Sequence, residues 1–283
     1  MMTAHSCQIQ TPRISRPDAG VASNPRYTFG TLVTDRAQYD CMRASFTAGG
    51  FQDHDCEYIF IDNTGPGQTD AYRGLNALLN AARGQTVILC HQDVRLLSDG
   101  RDVLDQRLAE LSARDAVWAL AGNAGGVAAG RLALRITDPH GKNQQVGQLP
   151  ARVSSLDENF IVVRREARIG FSADLSGFHF YGADICLHAT HMGYSAYVID
   201  FHLEHLSPGK KDKSFAVAED AFRAKWSRAM TPRWIQTTCS LIHLSGGPVR
   251  LAIDRVLDAQ VARLLRRLPG ARGWTQPNKS RAA

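Results

Sequence analysis

A chain of 283 residues is long enough for one large α/β domain or for two units of about 150 residues each. With 44% hydrophobic and 21% charged residues its composition is globular, which excludes a mostly disordered, collagen-like or low-complexity protein. The net charge is +6, and the segment from Pro248 onward, with eight basic residues against two acidic, carries all of it, so the rest of the chain is balanced and nucleic acid is not implied as a partner.

Residues 1–25 are rich in Ser, Thr, Pro and Gly without apolar periodicity, which predicts a disordered leader. No apolar block precedes a small-residue cleavage site there, unlike a secretory signal, and a cytoplasmic location is the expectation. The longest apolar runs, Thr86–Cys90 and Ala116–Ala121, fall far short of the roughly 20 residues that cross a bilayer. Six cysteines are dispersed without a Cys-x-x-Cys pair, so neither a zinc ribbon nor a disulfide framework is expected.

Order is expected from Tyr27. Tyr27–Thr34 reads as a strand, Ala37–Ala48 as a helix, and Glu57–Asp62 as a second strand ending in the turn chemistry of Asn63-Thr64-Gly65-Pro66-Gly67. Thr69–Arg83 places Leu75, Leu78, Leu79 and Ala82 on one helical stripe, and Thr86–Cys90 is a short β-rich run. This βαβαβ order predicts parallel strands, right-handed crossovers and a ligand site at the carboxyl ends of the strands. A helix at Gly100–Ala113 and a strand at Ala116–Ala121 follow, and then the rhythm breaks. A Gly-rich stretch leads to an apolar run at Leu132–Ile136 and a polar loop. Ile161–Val163 and Ala196–Ile199 read as strands, Ala183–Met192 as a helix between them, and Phe215–Met230 as a helix stopped by Pro232. Pro248 opens a last amphipathic helix with arginines opposite its apolar stripe.

Three strand ends carry polar groups on one rim: Thr34-Asp35, Asp62-Asn63 and His91-Gln92-Asp93. Carboxylates in such positions can accept hydrogen bonds from a base or ribose and can hold a divalent cation that bridges a diphosphate. Taken singly, each is as readily a turn-capping side chain.

Through Tyr58–Asn63, Gly74-Leu75-Asn76, Cys90–Val94, Leu156–Phe160, Gly177–Leu187 and His205-Leu206-Ser207, the chain resembles the GT-A glycosyltransferases. Specifically, it is similar to the family-two-like bacterial group with His-Gln-Asp-Val in place of Asp-x-Asp. The resemblance implies a Rossmann-like fold with a mostly parallel central sheet flanked by helices. It gives a single large domain over 26–245, divided into a nucleotide-sugar half at 26–125 and an irregular acceptor half at 126–245, with 246–283 as a basic amphipathic helix and tail. It also implies a metal-dependent enzyme that moves a hexosyl-type sugar from a UDP-, GDP- or dTDP-linked donor to a hydroxyl acceptor, with inversion. That acceptor is a glycan, a lipid-linked sugar or a small molecule, in surface-glycan or natural-product glycosylation.

By the same resemblance, Asp93 and His205 hold Mn²⁺ or Mg²⁺, with His202 three residues before His205. His91 replaces the first acid of the motif and lowers the site's negative charge. Thr34, Asp35, Asp62, Asn63, Asn76, His91 and Gln92 face the donor, Asp35 and Asp62 taking nucleobase and ribose. Asp184 is the expected general base, with a helix N-cap as its bland reading, and Asp157 or Glu158 as replacements. Trp118, Asp157, Glu158, His179 and Tyr181 are acceptor-side candidates. Two other functions compete: an inactive nucleotide-sugar-binding module, and an interaction protein acting through peripheral contact of its basic tail with the inner face of the membrane.

Overall fold

The computed structural model describes residues 12–17, 23–209, 212–236 and 241–244, with single positions at 253, 257, 260, 261, 263 and 264. The first half of the chain runs β1 (Ile14–Ser15), β2 (Tyr27–Val33), α1 (Arg36–Ala48), β3 (Cys56–Asp62), α2 (Ala71–Ala81), β4 (Thr86–Cys90), β5 (Val94–Leu96), α3 (Arg101–Arg114) and β6 (Trp118–Gly122). It continues with β7 (Ala124–Ala128), β8 (Arg131–Asp138), β9 (Gly141–Val146), β10 (Ala151–Val153), β11 (Ser155–Leu156), β12 (Phe160–Arg164), α4 (Tyr181–His191), β13 (Ser195–Val198) and β14 (Leu203–His205). The remaining elements are α5 (Lys213–Ala229) and the antiparallel ribbon of β15 (Arg233–Gln236) and β16 (Leu241–Leu244). Two compact units divide the chain, Met1–Asp220 and Ala221–Ala283. No described helix is long and apolar enough to cross a membrane. The basic helix expected from Pro248 lies almost wholly outside the described residues.

An eight-stranded sheet carries the first unit, in the order β1-β3-β2-β4-β12-β6-β13-β10. The pairs β3–β2, β2–β4 and β6–β13 are parallel, as the βαβαβ rhythm requires. The pairs β1–β3, β4–β12, β12–β6 and β13–β10 are antiparallel, so the sheet is mixed rather than mostly parallel. The difference arises at β12, which runs Phe-Ile-Val-Val with every side chain buried between two central neighbours. Such a run reads identically in either direction. A smaller sheet follows the path β11-β7-β8-β14-β5, with β9 on β8. β9, which forms a hairpin with β8, occupies what the sequence presents as a polar loop. Its Lys142-Asn143-Gln144-Gln145 lacks the apolar alternation that marks a half-buried strand, and Asp138 closes its turn by accepting from the His140 and Gly141 amides.

The core beside β2 is aromatic. Phe29 stacks on Tyr58 at 4.8 Å and meets Phe46 and Phe51 edge-on, and α1 supplies Tyr39, Met42 and Phe46 at helical spacing. Glu57 on β3 is buried, and burial alone would raise its pKa. Hydrogen bonds from the Arg83 backbone and side chain and from Thr28, with the charge of Arg16, outweigh that and hold it below its ordinary value. Arg16 pairs with this carboxylate from just beyond β1, whose Ile14 and Ser15 align with Ile61 and Phe60. A stretch expected as disordered leader thus contributes an ordered strand, because a buried carboxylate needs cationic partners.

Candidate functional site

The carboxyl end of β4 is brought to three other segments by backbone pairing. The His91 amide donates to the Asn159 carbonyl at 2.9 Å, which ties the His91-Gln92-Asp93 turn to the entry of β12 and places Asp157 and Glu158 alongside. β5 pairs antiparallel with β14, Val94 opposite His205, and the Leu206 amide donates to the Asp93 carbonyl at 3.1 Å. His205, distant in sequence, therefore shares one rim with His91 and Asp93.

His91, Asp93 and His205 each direct one ligand atom to a common point, all within 4.8 Å of one another. His205 Nε2 lies 3.4 Å and His91 Nδ1 3.9 Å from Asp93 Oδ1. Among the described residues His205 Nε2 is buried and makes no well-formed hydrogen bond, the Asp93 carboxylate at 3.4 Å being the group it faces. Burial works against charge on His205, but the Asp93 carboxylate outweighs it and raises its pKa. Burial would likewise raise Asp93, but His205 and His91 hold it low. Burial lowers the pKa of His91 and favours its neutral ring. Two imidazole nitrogens and one carboxylate oxygen form a borderline donor set, a better match to Mn²⁺ and the later divalent ions than to Mg²⁺. The residues present fit a divalent cation.

Beside this triad is a cavity of about 230 Å³, its floor made by Leu32, Leu75 and Leu89 and its wall by His91, Asp93, Glu158 and Tyr181. Of the two carboxylates lining it, Glu158 is the one outside the triad. Burial raises its pKa to about 8, against the lowering effect of hydrogen bonds from the amides at the start of α4. Tyr181, the first residue of α4, sets its hydroxyl 2.6 Å from His91 Nε2. The next residue must be glycine: a Cβ on Gly182 would collide with the Leu156 carbonyl oxygen.

Other expected site residues make hydrogen bonds within the fold. Asp184 has no exposed surface, and its two oxygens accept from the Ser172 amide at 2.8 Å and the Ser172 hydroxyl at 2.6 Å. A carboxylate so enclosed is not placed to take a proton from an acceptor, and it is no N-cap either, since it lies within the first turn of α4. It anchors the loop between β12 and α4, in which Tyr72 also holds the His179 carbonyl at 2.9 Å. Gln92 turns its amide to the end of β2, accepting from the Thr34 and Asp35 backbone and donating to Thr34 Oγ1. Asn63 is buried and clamps Thr69. Asn76 clamps Phe171, and Trp118 gives its indole proton to Ser112.

Asn76 and Trp118 line a different cavity, about 960 Å³, beside the starting residues of β2 and β4 and hence at the opposite end of those strands. It is the larger of the two; Arg26 pairs there with Asp105 and Arg164 with Glu166, while Arg165 and Arg168 also line it. Asp35 caps α1, Asp62 forms a turn with Thr64 and stays exposed, and Asp157 accepts from Asn159. His179 lies against Ser214 and Phe215, and His202 is bound to Thr137. Ser172 and Tyr72 are missed by sequence reasoning. The one available signal was the Asp184–His188 spacing of four, which puts both on the helix face that holds Ser172.

No family model matches the chain. A protein from Fuscovulum blasticum called ATP synthase subunits region ORF 6 is 35% identical over 223 residues, covering 77% of this chain and 90% of that protein. Among solved structures, A197 from STIV is similar with a TM-score of 0.39 at 12% identity, over 64% of this chain and 85% of that one. GalNAc-T7, solved with UDP, GalNAc and Mn²⁺, is similar with a TM-score of 0.45 at 7% identity, over 65% of this chain and 44% of that one.

Proposed function

The chain belongs to the family of the Fuscovulum blasticum protein named ATP synthase subunits region ORF 6, and on its site geometry and motifs we propose that it is a metal-dependent glycosyltransferase of GT-A type using a nucleotide-diphosphate sugar. The observation that carries the reading is the convergence of His91 Nδ1, Asp93 Oδ1 and His205 Nε2 beside a cavity at the carboxyl end of β4, next to the strand-end groups of β2 and β3. A diphosphate leaving group gathers negative charge that a cation can offset, and these three residues would hold such a cation. Bound there, a divalent cation would supply electrostatic stabilisation of the departing diphosphate. The His-Gln-Asp-Val motif and its companions support the sugar-transfer chemistry.

Asp62 retains a carboxylate oxygen outside its turn, and with Thr34 and Asp35 on the adjacent strand it offers hydrogen bonds to the nucleobase and ribose. The acceptor hydroxyl attacks the anomeric carbon, the bond to the diphosphate breaks with its electron pair, and the hydroxyl proton passes to Glu158. We assign the base to Glu158 because it faces the cavity, whereas Asp184 is enclosed.

The test is thermal shift with UDP, GDP, CDP and dTDP, each with and without Mn²⁺. One nucleotide should raise the midpoint by about 5 °C or more at a hundredfold excess over its Kd, and only with the metal. Asp93→Ala should abolish the metal-dependent part and leave the circular dichroism unchanged. No Mn²⁺-dependent shift with any of the four overturns the proposal.

A further inference from the structure

We infer that Tyr181 is a positioning residue that fixes His91 in the tautomer whose Nδ1 lone pair points at Asp93 and His205. The inference rests on the metal reading of the triad and adds to it the group that orients one ligand. Tyr181 Oη stands 2.6 Å from His91 Nε2 and 3.3 Å from the Glu158 carbonyl oxygen. A carbonyl only accepts, so the single phenolic proton is spent on it, and Oη is left to accept from His91. Both bonds coexist only if Nε2 carries the ring proton, and in a neutral imidazole that leaves Nδ1 bare. Nδ1 is the atom 3.9 Å from Asp93 Oδ1. Ligating histidines are oriented in this way by a partner on the other ring nitrogen.

The phenol is itself held. Tyr181 is 5% exposed and packed edge-on against Tyr72 and Phe171. It enters α4 directly after Phe180, whose φ of 67° turns the chain into the helix, and Gly182 lets that turn sit against Leu156. The first turn of α4 therefore serves two site groups: Tyr181 orients His91, and the Gly182 amide donates to Glu158 Oε1 at 3.3 Å.

Two measurements test the assignment, one of them without metal. Long-range ¹H–¹⁵N correlation spectra of the wild-type chain should show His91 protonated at Nε2 and bare at Nδ1. Titration with Mn²⁺ alone, followed by electron paramagnetic resonance, should show Tyr181→Phe weakening the affinity about 10- to 100-fold. In the His91→Asp background, where no tautomer needs fixing, the same substitution should change Mn²⁺ affinity less than threefold. A proton on Nδ1 in the wild type overturns the inference, as does an equal loss of affinity in both backgrounds, which would mark a merely structural tyrosine. If Tyr181→Phe fails to fold, the wild-type spectrum still decides. A wild-type chain that binds no Mn²⁺ but shows the Nε2–H tautomer removes the metal reading and leaves the tautomer assignment standing.

Discussion

The ends of β2 and β3 and the end of β4 all carry acids and amides, yet they use them in opposite ways. At the first two, polar side chains turn back on their own backbone: Asp35 caps α1, Asp62 closes a turn on Thr64, and Asn63 clamps Thr69. At the end of β4, His91, Asp93 and His205 turn toward one another, and Nε2 of His205 makes no well-formed hydrogen bond among the described residues. The same residue types at neighbouring strand ends thus give a frame in one place and a site in another. What distinguishes them is the chief partner: backbone amides two or three residues on for Asp35 and Asp62, and the imidazoles of His205 and His91 for Asp93.

Glu158→Gln breaks the comparison at its most sensitive point. If this carboxylate is the base, transfer or slow donor hydrolysis should fall 10²- to 10⁴-fold with donor affinity retained. The wild-type rate should rise with pH through about 8, because only the ionised carboxylate accepts a proton, and the variant should lose that dependence. The sign for stability is the reverse. A folded-state pKa of about 8, above the ordinary 4.5, means that the folded chain holds a proton the unfolded chain gives up. Glu158 therefore costs stability progressively as pH rises between those values. Glu158→Gln should melt higher than wild type at pH 9 and close to it at pH 5, measured by calorimetry at both. A variant of unchanged turnover would return the base to Asp157 or Asp184.

The frame gives smaller effects. Asp184→Ala leaves the buried Ser172 amide without its acceptor, at a cost of about 1–3 kcal/mol, or a fall in Tm of roughly 2–12 °C. Asp184→Asn keeps one acceptor oxygen and should recover most of that loss, with turnover within tenfold of wild type. A stable, donor-binding Asn variant with no turnover would instead make Asp184 a catalytic group. Least of all, Asp35→Ala removes the acceptor for the Ala37 and Gln38 amides and should cost about 1 kcal/mol, or about 2–4 °C in Tm. Mn²⁺ affinity should not change, while nucleotide affinity should fall because Asp35 is also assigned to the nucleoside; unchanged nucleotide affinity would leave it a cap alone.

Much of the frame was legible in the residues. The run Tyr27–Val33, the stripe of Tyr39, Met42 and Phe46, and the short β-rich Thr86–Cys90 each state their element through local periodicity and side-chain shape, and the elements form within a residue or two of those limits. Strand ends carrying Asp35, Asp62 and Asp93 follow from the same pattern, since a sheet of alternating β and α segments presents them together. A cation role for a carboxylate at the end of β4 was legible from its place at a strand end, and the resemblance singled out Asp93, whereas His91 as a third ligand is added by the geometry.

Only the tertiary structure decided direction, burial and partnership. A fully buried Phe-Ile-Val-Val carries no arrow, so β12 as an antiparallel strand between β4 and β6 was settled by packing. Asp184 and Glu158 are both acids beside aromatic turns, and nothing local separates the one sealed under Ser172 from the one facing the cavity, because burial is set by segments far away in the chain. His205 reaches Asp93 through the pairing of β5 with β14, more than a hundred residues apart, and His91 meets Tyr181 across ninety. Local chemistry fixes which elements form, whereas the identity of a site depends on which distant side chains the pairing of those elements brings within hydrogen-bonding distance.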